Sequence, residues 1–218
     1  MSTLPAPGDW TKAYTCIWDA WNRLVEIKDG PTLVQANTYD ALTRRIRKEG
    51  VETRDYYYDR QWRAVEERAS DLVEANYVYS PTDRWTLIRR RRSTADILDE
   101  TRYCLRDYLD PVAIIRGDGT VDERYSYDAF GQVRIMDANY SARASSLRSW
   151  NWLFHGEFLD EDCGMYNYGY RFYHPQLGRW LSRDPIGEVE GLNLYDFLAN
   201  NGGSYFDELG LQLQNPFI

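Results

Sequence analysis

The sequence predicts an all-β protein, built of antiparallel hairpin repeats that form a curved sheet, and three observations carry the prediction. The chain holds 18 Tyr and 8 Trp, and they fall with Thr and Val in short runs, the composition of pleated, half-buried surfaces. An aromatic-Asp pair returns at a spacing near twenty residues, at Trp18-Asp19, Tyr39-Asp40 and Tyr58-Asp59, which marks stacked structural units. Apolar periodicity of the helical kind, sustained over three turns, is scarce.

Each unit has a physical logic. Aromatic and alternating apolar residues pack strand on strand, the Asp accepts backbone N–H groups at the turn, and the chain reverses at a residue with positive φ. In the first unit Asn22 precedes Arg23, and Asn tolerates the left-handed conformation. In the second, β-branched Thr43 holds that place before Arg44 and is expected to force a different turn. A complete unit reappears at Tyr127-Asp128-Ala129-Phe130-Gly131. Between them, Ser80-Pro81-Thr82-Asp83 reads as a turn and 101–119 as a hairpin. Arg89 to Arg92 read as a solvated strand with acidic partners. Asp118, Asp122 and Glu123 lack the spacing of a calcium loop. The polar stretch 137–149 reads as a loop or linker.

A net charge of -8 and a pI near 4.9 argue against nucleic acid as a partner. Cys16, Cys104 and Cys163 are odd in number and lack CxxC spacing, so no disulfide framework and no metal site are expected, and nothing calls for a cofactor. The start, MSTLPAPGDW, shows no signal-peptide pattern, and no segment has the length of a membrane span. His155 is expected in a strand and His174 beside Pro175. The acidic neighbours Asp160, Glu161 and Asp162 disfavour a Cys163 thiolate, and with it a cysteine nucleophile.

The chemistry concentrates near the C-terminus. Arg183-Asp184-Pro185-Ile186-Gly187 sets a carboxylate on a tight turn, and Asp207-Glu208-Leu209-Gly210-Leu211 repeats the Asp-x-x-Gly spacing some two dozen residues on. Pro185, Gly187 and Gly210 are the expected turn formers. Gly191 and the cluster 200–203 allow the intervening segment to double back, which would bring the two aspartates face to face. Two carboxylates held close share a proton, so one acts as base and the other as acid, and such a pair can hydrolyse an amide.

The run GMYNYGYRFYHPQLGRWLSRDPIG, followed by GLNLYDFLANN and FDELGL, resembles the RHS-repeat-associated core domain, the module that closes the β-shell of RHS and YD-repeat proteins. The upstream units resemble YD repeats, with Asn22 and Thr43 in place of the pattern's Gly. The resemblance implies an all-β shell segment over 1–136, the connector 137–149, a core module with short helical turns over 150–211, and a tail over 212–218. It also implies a structural or encapsulating role, a cell-surface or exported location, and upstream repeats of a longer shell as partners.

For chemistry, the resemblance implies a self-cleaving aspartyl protease with the chain's own tail as substrate. Asp184 and Asp207 would form the dyad, Arg183 would tune their charge, and Leu211–Gln212 would be the cleaved bond. Two positions depart from the family's pattern: Glu208 replaces a Pro after Asp207, and Gly202 replaces a Pro after Asn201. An alternative reading is a non-catalytic β module at the cell surface, binding a glycan or protein through exposed Tyr and Trp.

Overall fold

The computed structural model describes residues 1–95, 97–189 and 191–214; of the tail, 215–218 lie outside the described residues. The chain divides into two compact units, one combining Met1–Thr53 with Leu159–Ile218 and the other formed by Arg54–Phe158. The fold class is the expected one: the regular structure is antiparallel β. Among the described residues, no helix is long and apolar enough to cross a membrane.

The first unit begins with β1 (Ser2–Ala6), β2 (Asp9–Trp18), β3 (Leu24–Asp29), β4 (Thr32–Tyr39) and β5 (Arg45–Glu49), each antiparallel to the next. The β2–β3 turn is built by one carboxylate. Asp19 Oδ1 accepts the N–H groups of Trp21 and Arg23, both at 2.9 Å, and Oδ2 accepts Arg23 Nε–H at 2.7 Å. The Arg23 guanidinium also donates to the Asp40 carbonyl at 3.1 Å, tying one turn to the next. Asp40 repeats the arrangement with Leu42 and Arg44.

Here one expectation is corrected. Thr43 does not force a different turn: its φ is 69°, close to the 60° of Asn22, and its N–H bonds the Asp40 carbonyl as Asn22 bonds Asp19. The Asp and its Arg four residues on fix the loop through several hydrogen bonds. Together these outweigh the steric cost of one β-branched residue in the left-handed region.

The second unit runs through β6 (Arg54–Tyr58), β7 (Ala64–Ala69), β8 (Leu72–Tyr79), β9 (Leu87–Ser93), β10 (Leu98–Asp107), β11 (Asp110–Ile115), β12 (Val121–Tyr127), β13 (Val133–Asp137) and β14 (Ala142–Arg143). Each strand again pairs antiparallel with its successor. Asp59 and Asp128 build the same turn. Gly131 there has φ of 81°, and a Cβ on it would lie 2.4 Å from the Phe154 ring, so both conformation and space require glycine.

Two local features, at Arg90 and His155, differ from the sequence reading, and the expected loop or linker 137–149 shows how it is held. Arg90 is buried instead of solvated: it pairs with Glu100, donates to the carbonyls of Arg148 and Ser149 at 2.6 Å each, and stacks over Trp150. The stretch 137–149 carries a turn of the repeat type, with Asp137 accepting from Asn139 and Ser141. It is then held by buried Glu123, which accepts from Ser146 and Leu147 at 2.6 Å each. His155 lies in a tight turn, Phe154–Gly156, with φ of 55°, instead of in a strand. Its N–H is taken by Asp110 at 2.7 Å, whose carboxyl burial pushes up to about 6.

The first unit closes with β15 (Phe158–Asp160), β16 (Met165–Asn167), β17 (Phe172–His174) and β18 (Arg179–Trp180), side by side, and a last pair, β19 (Phe206–Asp207) with β20 (Leu213–Gln214). Leu159–Gln214 packs on β1–β5 through Cys16, Leu24 and Ile27 against Cys163, Met165 and Phe172. Where strand alternation would place apolar residues, β4 and β5 bury Gln35, Asn37, Arg45 and Lys48. Arg45 forms a two-pronged pair with fully buried Asp160, Gln35 donates to the same carboxylate at 3.1 Å, and Lys48 meets Asp162 at 2.9 Å. A buried charge is tolerated only when so paired.

Candidate functional site

The site rests on an aromatic floor. Tyr168, Tyr173, Trp180 and Phe197 are all at most 1% exposed; Tyr173 and Phe197 stack at 3.8 Å, and Trp180 meets Phe197 edge to face at 5.1 Å. This is what the aromatic richness of 165–180 makes: a rigid, desolvated platform. Arg171 lies on it, its guanidinium 4.2 Å from the Trp180 ring centre.

Arg171 joins the two turn aspartates. Its Nη1 is 2.7 Å from Asp184 Oδ2 and its Nη2 is 3.2 Å from Asp207 Oδ2, with the side chains 2%, 7% and 2% exposed respectively. Its Nε–H donates to the Gly210 carbonyl at 2.6 Å. Asp184 and Asp207 are therefore brought to the two prongs of one guanidinium. Arg183, the expected tuning residue, is exposed. Sequence reasoning missed Arg171, although it is the lone charged residue in the aromatic run Met165–Tyr173, where an unpaired cation would be costly.

Both aspartates also build turns of the repeat kind. Asp184 Oδ1 accepts Ile186 N–H at 2.9 Å, and its carbonyl accepts Gly187 N–H; Pro185 sits inside the turn and Gly187 takes φ of 76°. Asp207 Oδ1 accepts Leu209 and Leu211 N–H at 3.1 and 2.9 Å. Gly210 has φ of 68°, and a Cβ there would lie 3.1 Å from Arg171. The doubling back of 185–206 is secured by the Leu194 carbonyl, which accepts Asp184 N–H at 3.0 Å, and by a left-handed turn at Leu198, Ala199 and Asn200, with φ of 53°, 51° and 59°.

Burial raises the Asp207 carboxyl above its ordinary range, against the pull of the Leu211 N–H, the Arg171 charge and the N–H groups of Leu209 and Gln212. Burial thus makes Asp207 easier to protonate than an exposed aspartate. The hairpin β19–β20 carries Leu211 and Gln212 in its loop, with Leu213 opposite Asp207. The peptide Leu211–Gln212 is therefore held beside Asp207 from both sides. A cavity of about 230 Å³ opens against Asp184, room for several waters.

The other candidate groups are placed elsewhere. Cys163 is buried, and burial with the Asp160 charge pushes its thiol well up. His174 is fully buried: Leu177 N–H donates to Nδ1 at 3.1 Å, leaving Nε2–H for the Pro5 carbonyl at 3.0 Å. Among the described residues, no group of three or more His, Cys, Asp or Glu is arranged to hold a metal.

No family model matches the chain. It is similar to the toxin subunit YenC2 of Yersinia entomophaga, 36% identical over 87 residues that make up 40% of this chain and 9% of that protein. It is also similar to the toxin subunit YenC1 of the same organism, 33% identical over 114 residues, 52% of this chain and 11% of that protein. The chain thus spans about a tenth of the length of these curated relatives. Its fold matches the crystal structure of TcdB2-TccC3-Cdc42 with a TM-score of 0.69 at 24% identity, over 91% of this chain and 10% of that one.

Proposed function

We propose that this chain is a segment of a longer RHS-type β-shell with a structural or encapsulating role, and that its last part cuts its own backbone after Leu211. The likeness in fold and sequence to toxin subunits supports the shell reading. The observation that carries the cutting is the Arg171 bridge, which sets two buried carboxylates against residues 207–212.

In the proposed reaction, Asp184 takes a proton from a water in the adjoining cavity, and the hydroxyl adds to the Leu211 carbonyl carbon. Asp207, in the form of the pair that carries the shared proton on it, gives that proton to the Gln212 nitrogen as the C–N bond breaks. The products are a Leu211 carboxyl and a Gln212 amine. Arg171 keeps both carboxyl groups in place and offsets the single negative charge they share. The tail needs no binding step, because substrate and site are one chain.

The test is the intact mass of freshly purified protein followed over time. Loss of the seven residues 212–218 in the parent, and its absence in Asp184→Asn, is the expected result. A parent that keeps its full mass overturns the catalytic part.

A further inference from the structure

The cavity beside Asp184 has a wall that the chemistry above does not use. Leu213, the second residue past the proposed cut, lines it together with Leu194, Leu198 and Ala199. Leu198 and Ala199 belong to the left-handed turn, a conformation that L residues rarely adopt and that persists only where the surroundings impose it. Strain of this kind concentrates at ligand clamps. Leu213 is meanwhile fixed in register, since its backbone pairs with Asp207 itself. The lining also includes Asp184 and Asp196, so the cavity combines apolar side chains, Leu213 among them, with two carboxyl groups.

We infer that this cavity is a side-chain pocket that reads residue 213 and thereby seats the tail for cutting, accepting a large apolar residue and rejecting an acidic one. The inference rests on the self-cleavage reading and adds a specificity element to it. With Leu213 in its wall the cavity still leaves about 230 Å³, so a larger apolar side chain such as Phe at 213 can enter it. An aspartate at 213 would add a third carboxyl to a lining that holds Asp184 and Asp196, and the cation at Asp184, Arg171, is already shared by Asp184 and Asp207.

The experiment compares the parent, Leu213→Phe and Leu213→Asp by intact mass over time. Tail loss is expected at a similar rate in Leu213→Phe and at least about tenfold slower in Leu213→Asp, the scale on which side-chain pockets discriminate. Equal rates in all three overturn the inference and leave the self-cleavage reading standing. If the parent keeps its tail, the self-cleavage reading falls, and the same chains are digested with carboxypeptidase Y. Retention of Leu213 in the parent, with release of residue 213 from Leu213→Asp, upholds the pocket; equal release overturns it.

Discussion

Asp40 and Asp207 make the same turn. Each accepts the N–H groups of the second and fourth residues on, and each is followed three residues later by a residue with positive φ, Thr43 in one case and Gly210 in the other. They differ in what surrounds the free oxygen. Asp40, 21% exposed, pairs with Arg44 of its own turn. Asp207, 2% exposed, shares Arg171 with a second carboxylate. Although burial opposes it, hydrogen bonding from Arg44 and Leu42 holds the Asp40 carboxyl below its usual range, whereas burial raises Asp207. The turn thus supplies only a platform. Burial, with one cation for two anions, is what converts a scaffold device into a candidate acid.

Removing the shared cation separates the two environments most sharply. Arg171→Ala leaves two carboxylates buried over the aromatic floor, and a loss of about 3–5 kcal/mol in urea unfolding is expected. Asp40→Ala removes one partly exposed turn cap and is expected to cost about 1 kcal/mol. Equal losses would mean that the two environments do not differ as described.

The pH dependence separates the two aspartates by sign. Asp40 has a lowered folded value, so its contribution is present above the ordinary 3.8 and lost as pH falls through that folded value. Asp207 has a raised folded value, so its contribution is present below 3.8 and lost as pH rises through the folded value. Stability relative to the matching Asn variant should climb from acid toward pH 3.8 for Asp40 and decline above it for Asp207, measured by urea unfolding across pH. The smallest effect concerns the turn alone. Thr43→Gly relieves a left-handed β-branched residue and should gain up to about 1 kcal/mol, while Asn22→Gly stays near zero in the same assay.

Much of this was legible in the chain. The aromatic-Asp spacing gave the hairpin units, and two Asp-x-x-Gly turns pointed to residues 184 and 207. The partner that joins those residues was not, because a single Arg inside YGYRFY carries no motif, and only the folded aromatic floor shows that it must be paired. The polar faces of β4 and β5 were equally hidden. Nothing local marks Gln35, Arg45 and Lys48 for burial, because their partners Asp160 and Asp162 lie more than a hundred residues later and meet them only in the fold. The Thr43 turn was misjudged for the converse reason: steric preference of one residue was weighed without the carboxylate that overrides it.

Intact mass on four chains tests most directly whether one turn serves two ends according to its surroundings. The parent and Asp40→Asn are predicted to end at Leu211, while Asp184→Asn and Asp207→Asn keep residues 212–218. Four identical masses would contradict it.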